Sequence, residues 1–179
     1  ALPDITASGG YITLVMSAVA HGGSVTDIEP GFKALSELRP HVRKFYKSNP
    51  EATQLLERGE VSVAAWFDGR TWGLADKGVP VTWIAPKEGA GAAMVAYHIP
   101  NNARDPELCK QFINFAISKE AQEAFCNAMQ YGPVNSKAVL SGMAAKRVPP
   151  LSSLKAIDWF SIVPNLSTWQ ERWNREIAG

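Results

Sequence analysis

The stretch from Gly59 to Gly89, GEVSVAAWFDGRTWGLADKGVPVTWIAPKEG, constrains this chain more than any other part of it. A short apolar strand, Val61 to Trp66, runs into the turn Phe67-Asp68-Gly69-Arg70. The pattern predicts a small helix next, then a second apolar strand from Val79 to Ala85, closed by Pro86-Lys87-Glu88-Gly89. Strand, helix and strand in that order suit an open α/β sheet. In such sheets, ligand-handling groups sit where a strand ends and a helix begins.

Around this block the chain reads as further α/β structure. Leu2 to Thr6 predicts a short strand entering the small turn Ala7-Ser8-Gly9-Gly10. A helix follows with Tyr11, Leu14, Val15, Ala18 and Val19 on one face. Pro30 starts a second helix that ends before Pro40, and Asn49-Pro50-Glu51 supplies a cap, a first-turn proline and a first-turn acid for a third. Gly89 to Ala93 is small and hinge-like, and Ala93 to Ile99 predicts a strand stopped by Pro100. Asp105 and Ser118 cap two consecutive helices carrying Leu108, Phe112, Phe115, Phe125 and Met129. Tyr131 to Asn135 is a turn, Lys137 to Ala145 reads as helical, and Val148-Pro149-Pro150 as a rigid link. The last helix puts Leu166, Trp169, Trp173 and Ile177 on one stripe.

Composition narrows the function classes. The 18 Lys and Arg nearly balance the 17 Asp and Glu, so no strong field points to nucleic acid or an anionic membrane. The longest apolar runs are too short to span a bilayer. No G-x-S-x-G elbow, H-E-x-x-H helix, phosphate loop or dinucleotide fingerprint is present, and the three His are scattered. An Asp68–Glu88 carboxylate pair has no support in spacing. Neither an enzyme nor a cofactor is expected. Cys109 and Cys126 fit neither a zinc site nor a redox pair; they read as buried apolar residues or as a disulfide in an oxidising compartment.

The ordered pieces GEV…W…G, PKEG, a strand ending Ile99-Pro100, FINFAISKEAQE and a Tyr131 turn with Pro-Val-Asn resemble bacterial periplasmic solute-binding proteins of ABC importers, specifically the spermidine/putrescine-binding group. The resemblance covers nearly the whole chain but only the second half of a family member. It implies a type II periplasmic-binding-protein-like α/β fold, mostly the second lobe (three-layer α/β/α) plus a segment of the first lobe. Residues 1–92 would be the first part of the second lobe, 93–135 the segment returning to the first lobe, and 136–179 the second lobe's C-terminal helices. It also implies a periplasmic location, with the signal peptide and N-terminal half outside this chain. The implied partners are a small-molecule solute, the importer's permease subunits, and either the missing half or a dimer partner covering the Phe112, Phe115 and Phe125 face. An α/β sensory or interaction module reusing the fold is the competing class.

Within that resemblance, Phe67 falls at an aromatic wall position and Tyr131 at a ligand-facing tyrosine. The tryptophan and aspartate the family carries after PKEG fall here at Ala93 and Val95, and its late glutamine at Leu151. Two acids expected near the first helix are replaced by the Ala7-Ser8-Gly9-Gly10 turn. These departures shift the expected solute from a polyamine toward an organic anion or zwitterion, such as γ-aminobutyrate, an aminophosphonate or a phosphorylated compound. The anion would meet the Ser8 hydroxyl, the Gly9 and Gly10 amides at a helix start, and Arg70. Asp68 would meet an amine or hydroxyls, with Trp66 completing the candidate set. Read without the family, the Ser8-Gly9-Gly10 turn is equally an N-cap, and Asp68 a helix cap.

Overall fold

The computed structural model describes residues 1–7 and 9–179. The chain begins with β1 (Leu2–Pro3), then α1 (Gly10–Ala20), α2 (Glu29–Leu38), β2 (Phe45–Tyr46), α3 (Asn49–Glu57) and α4 (Asp68–Ala75). It continues with β3 (Ala90–Gly91), α5 (Pro106–Ala116), α6 (Lys119–Met129), α7 (Ala144–Arg147), β4 (Leu154–Lys155), α8 (Trp159–Ile162) and α9 (Leu166–Trp173). A wider helical turn over Asn174–Ala178 extends α9 to the end of the chain.

The main core lies where α1, α2 and α9 meet. Leu14 and Val15 from α1, Phe32 and Leu35 from α2, and Trp169, Trp173 and Ile177 from the C-terminal stretch pack around Ile5 and Ile162. Trp173 is fully buried, with the Phe45 ring edge-on at 5.4 Å. Tyr11 is half-buried beside this core; its hydroxyl donates to the Leu166 carbonyl at 3.2 Å. Arg172 closes the outer side, stacked over Phe32 at 4.0 Å and paired with Glu29 and Glu176. The apolar stripes expected on α1 and α9 are the ones that pack.

Strand pairing is shorter than the sequence pattern suggests. Among the described residues it consists of two parallel two-stranded pairs: β1 with β2, and β3 with β4. The stretches 61–66, 79–85 and 93–99 lie outside any strand ladder. A strand is a pairing state, and an apolar local pattern cannot supply the neighbour. Val63, Ile84, Met94 and Val95 are correspondingly exposed. Residues 137–143 also differ from expectation. The Val139 and Ser141 amides donate to the Glu123 and Asn127 side chains of α6, so no helical turn forms before α7.

The caps mostly behave as read. Asp105 and Ser118 accept from the Leu108 and Ala121 amides at 2.9 and 3.2 Å. For α3 the cap is Ser48 rather than Asn49, with Glu51 reaching back to the Lys47 amide at 2.7 Å as in a capping box. The Asn49 side chain is thereby released to hold Trp66. Within Gly89–Ala93, β3 pairs with β4 in an ordered seam. Gly91 lies so close to α1 that a Cβ would strike Ile12 and come within 3.0 Å of the Met16 side chain.

The two cysteines are free, Cys126 buried and Cys109 half-buried. On α5 and α6, Leu108, Phe112, Phe115, Phe125 and Met129 all face solvent; Phe115 is 68% exposed. Helix α5 has no buried residue at all. The capped, amphipathic α5 forms with its apolar face largely exposed among the described residues, the Tyr97 ring meeting Phe112 edge-on at 5.8 Å.

Candidate functional site

The site is built around the N-terminus of α4. The segment leading to it is anchored on a small core of Tyr46, Ala52 and Leu55, against which Val61 and Trp66 pack. The Tyr46 hydroxyl donates to the Ala65 carbonyl at 2.6 Å, and burial pushes its pKa well above the ordinary tyrosine value. The Trp66 indole N–H donates to Asn49 Oδ1 at 2.9 Å. Trp66 therefore faces the α3 side and serves as an anchor for the segment leading into α4. Phe67 follows in extended conformation as the residue before α4, which opens on Asp68.

Tyr131 meets this turn from the end of α6. A Cβ on Gly69 would collide with the Tyr131 ring and lie 2.6 Å from the Met129 carbonyl oxygen, so only glycine permits the approach. The Phe125 ring lies 6.3 Å from that of Tyr131, centroid to centroid. Burial raises the Asp68 pKa, with the backbone N–H groups of Gly69 and Asp68 partly offsetting it. Asp68 has no cationic partner in any ion pair among the described residues. A partly buried carboxylate without a cationic partner is stabilised by any cation that comes within reach of it.

Of the sequence-derived candidates, then, the structure gathers Phe67, Asp68 and Tyr131 about Gly69. Arg70 is exposed and makes no ion pair among the described residues. Ser8 lies outside the described residues. Gly9 precedes α1 and its carbonyl accepts from Thr13, while the Gly10 amide donates to the Ala7 carbonyl at 2.9 Å. The Gly10 N–H is thus occupied by the turn itself rather than left open to a guest. Gly10 is buried, and a Cβ there would sit 2.5 Å from the Ile5 carbonyl oxygen. Close backbone packing accounts for this glycine.

Sequence reasoning passed over the other end of α4. There Asp76, Gln130 and Arg147 form a closed set of hydrogen bonds. These residues come from three separated parts of the chain. The only local signal is a polar residue following the helix run that ends at Met129.

With the geometry in hand, comparison with known proteins is decisive. Residues 4–149 match the family model described as bacterial extracellular solute-binding protein. The chain belongs to that family. Its members bind solutes and are not enzymes. The spermidine/putrescine-binding periplasmic protein of Escherichia coli (strain K12) is 26% identical over 172 residues, covering 92% of this chain and 49% of that protein. The γ-aminobutyric acid-binding protein of Pseudomonas aeruginosa is 25% identical over 139 residues, covering 71% of this chain and 38% of its own length. A solved Bordetella parapertussis structure, described as an extracellular solute-binding protein, superposes with a TM-score of 0.85 at 31% identity. That match covers 98% of this chain and 55% of the other. The α/β periplasmic-binding-protein-like fold is therefore shown, and the chain spans about half the length of the relatives it matches. No helix among the described residues is long and apolar enough to cross a membrane.

Proposed function

We propose that the whole protein is the periplasmic solute-binding component of a bacterial ABC importer and that its solute carries a protonated amine held by Asp68, with Phe67 and Tyr131 as apolar walls. The observation that carries this reading is the partly buried Asp68 carboxylate, which forms no ion pair among the described residues and stands next to the Gly69 that receives the Tyr131 ring. An ammonium group supplies the missing charge, and its methylenes suit the aromatic rings. The names of the relatives favour the same chemistry: the first ones bind spermidine or putrescine. With Ala93, Val95 and Leu151 where the polyamine binders carry ligand groups, the solute has fewer anchors here than in those proteins. A short amine suits the site better than a long polycation.

Closure follows from differential affinity: the solute favours the state in which both walls reach it, and that state docks on the permease. In this proposal the exposed α5–α6 face is covered by the remaining half of the two-lobed protein.

A second reading keeps Asp68 for the amine and adds Arg70 for a carboxylate, which makes the solute a zwitterion. It is favoured by the position of Arg70, two residues on and without an ion pair, and by the γ-aminobutyrate-binding relative. A thermal-shift panel on the whole protein separates the two. Putrescine and spermidine raise the melting temperature under the first reading, and γ-aminobutyrate alone does so under the second. Stabilisation only by phosphorylated or other purely anionic compounds contradicts both. Arg70→Ala leaves putrescine affinity intact but lowers γ-aminobutyrate affinity roughly tenfold or more, the loss of a charge-assisted contact.

A further inference from the structure

We infer that Asp76, Gln130 and Arg147 are positioning residues that clamp Tyr131 onto the Asp68 turn, and so set the width of the solute site. The inference rests on the assignment of that site to an amine. Gln130 donates through Nε2 to Asp76 Oδ2 at 2.6 Å. Arg147 Nη1 donates to Asp76 Oδ1 at 2.6 Å and to Gln130 Oε1 at 2.9 Å. Each side chain thus bonds to both others, and both polar atoms of the Gln130 amide are used. The Arg147 guanidinium also lies 4.9 Å from the centroid of Trp72, in the middle of α4.

The backbone makes the purpose of this triangle clear. Gln130 has a φ of +57°, the left-handed conformation that ends a helix and that glycine adopts at no cost. A glutamine there carries a conformational penalty that its side chain must offset. Its 6% exposure and its two partners provide the offset. The turn it makes hands the chain directly to Tyr131, whose amide donates to the Cys126 carbonyl at 3.3 Å. Helix α4 is therefore held at both ends by adjacent residues. Asp76, just past its C-terminus, receives Gln130, while Gly69 in its first turn receives the Tyr131 ring. Fixing the first contact fixes the second.

Two variants test this in the whole protein. Arg147→Met keeps bulk over Trp72 and removes both donated bonds; Gln130→Gly keeps the left-handed turn and removes the side chain. Each is expected to speed hydrogen exchange at the Tyr131 amide by about tenfold, the effect of losing a partly buried charge-assisted bond, while amides in α1 stay unchanged. Putrescine affinity should fall by about tenfold in each variant, and by less than about twofold when Tyr131 is already alanine, since a residue acting through Tyr131 has nothing left to position. Unchanged exchange at Tyr131 in both variants overturns the clamp, as does an equal affinity loss with and without Tyr131. A parent protein that binds neither putrescine nor γ-aminobutyrate sinks the amine site instead, and the exchange measurement still decides the clamp.

Discussion

Replacing Asp68 with asparagine removes one charge and almost no volume, so the variant isolates the electrostatic part of the proposal. A hydrogen bond to a charged group contributes about 1.5–3 kcal/mol. At about 1.4 kcal/mol per factor of ten, the dissociation constant for putrescine should rise roughly ten- to hundred-fold. The free protein should respond in the opposite sense. Burial raises the Asp68 pKa, so the carboxyl contributes stability below the unfolded carboxylate range. That contribution is lost as pH climbs through the raised folded value. At neutral pH the parent therefore carries a desolvated charge that the variant lacks, and the unliganded variant should melt at the same temperature or higher. Ligand binding reverses the shift, because an ammonium favours the ionised carboxylate. Affinity in the parent should accordingly fall as pH is lowered through the raised pKa, with proton release on binding, and the variant should lose this dependence. Titration calorimetry in buffers of differing ionisation enthalpy reads both quantities. Putrescine affinity within about twofold of the parent, with an unchanged pH profile, refutes the role given to Asp68.

Gly69→Ala should weaken solute binding more than it destabilises the fold, since its Cβ enters the space of Tyr131; calorimetry beside thermal melting separates the two. Trp173→Ala should cost about 3–5 kcal/mol in denaturant unfolding, as a large side chain removed from a full core. Trp173→Phe should cost clearly less, because the indole N–H it discards has no partner among the described residues. Arg172 holds the Glu29 and Glu176 carboxyls below their usual range, and Arg147 does so for Asp76. Their stabilisation is present above the unfolded carboxylate pKa values and lost as pH falls, so melting temperature should drop below about pH 4. High salt should blunt that drop.

Helices were readable because their determinants are local. Asp105-Pro106-Glu107 and Ser118 carry their caps in sequence, and the Leu166, Trp169, Trp173 and Ile177 stripe names the face that packs. Strand pairing was not readable to the same degree. The two-residue β2 leaves no periodic trace, and Val79–Ala85 has the apolar character of a strand but pairs with no neighbour among the described residues. The Phe67, Asp68 and Tyr131 grouping was partly visible through the resemblance, whereas the glycine that allows it showed only in the close approach of the Tyr131 ring. Gly10 misled for a physical reason. Glycine at a helix start fits an anion pocket and a tight backbone crossing equally well, and here the crossing is what requires it. The Asp76, Gln130 and Arg147 set is assembled by tertiary structure alone, from positions 54 and 71 residues apart in the chain.

The most direct measurement is a crystal structure of the whole protein grown with putrescine. The account predicts an amine nitrogen within hydrogen-bonding distance of the Asp68 carboxylate, about 2.7–3.2 Å, with the Tyr131 ring against the solute's carbon chain. A solute nitrogen lodged elsewhere, out of reach of the Asp68 carboxylate, would contradict it.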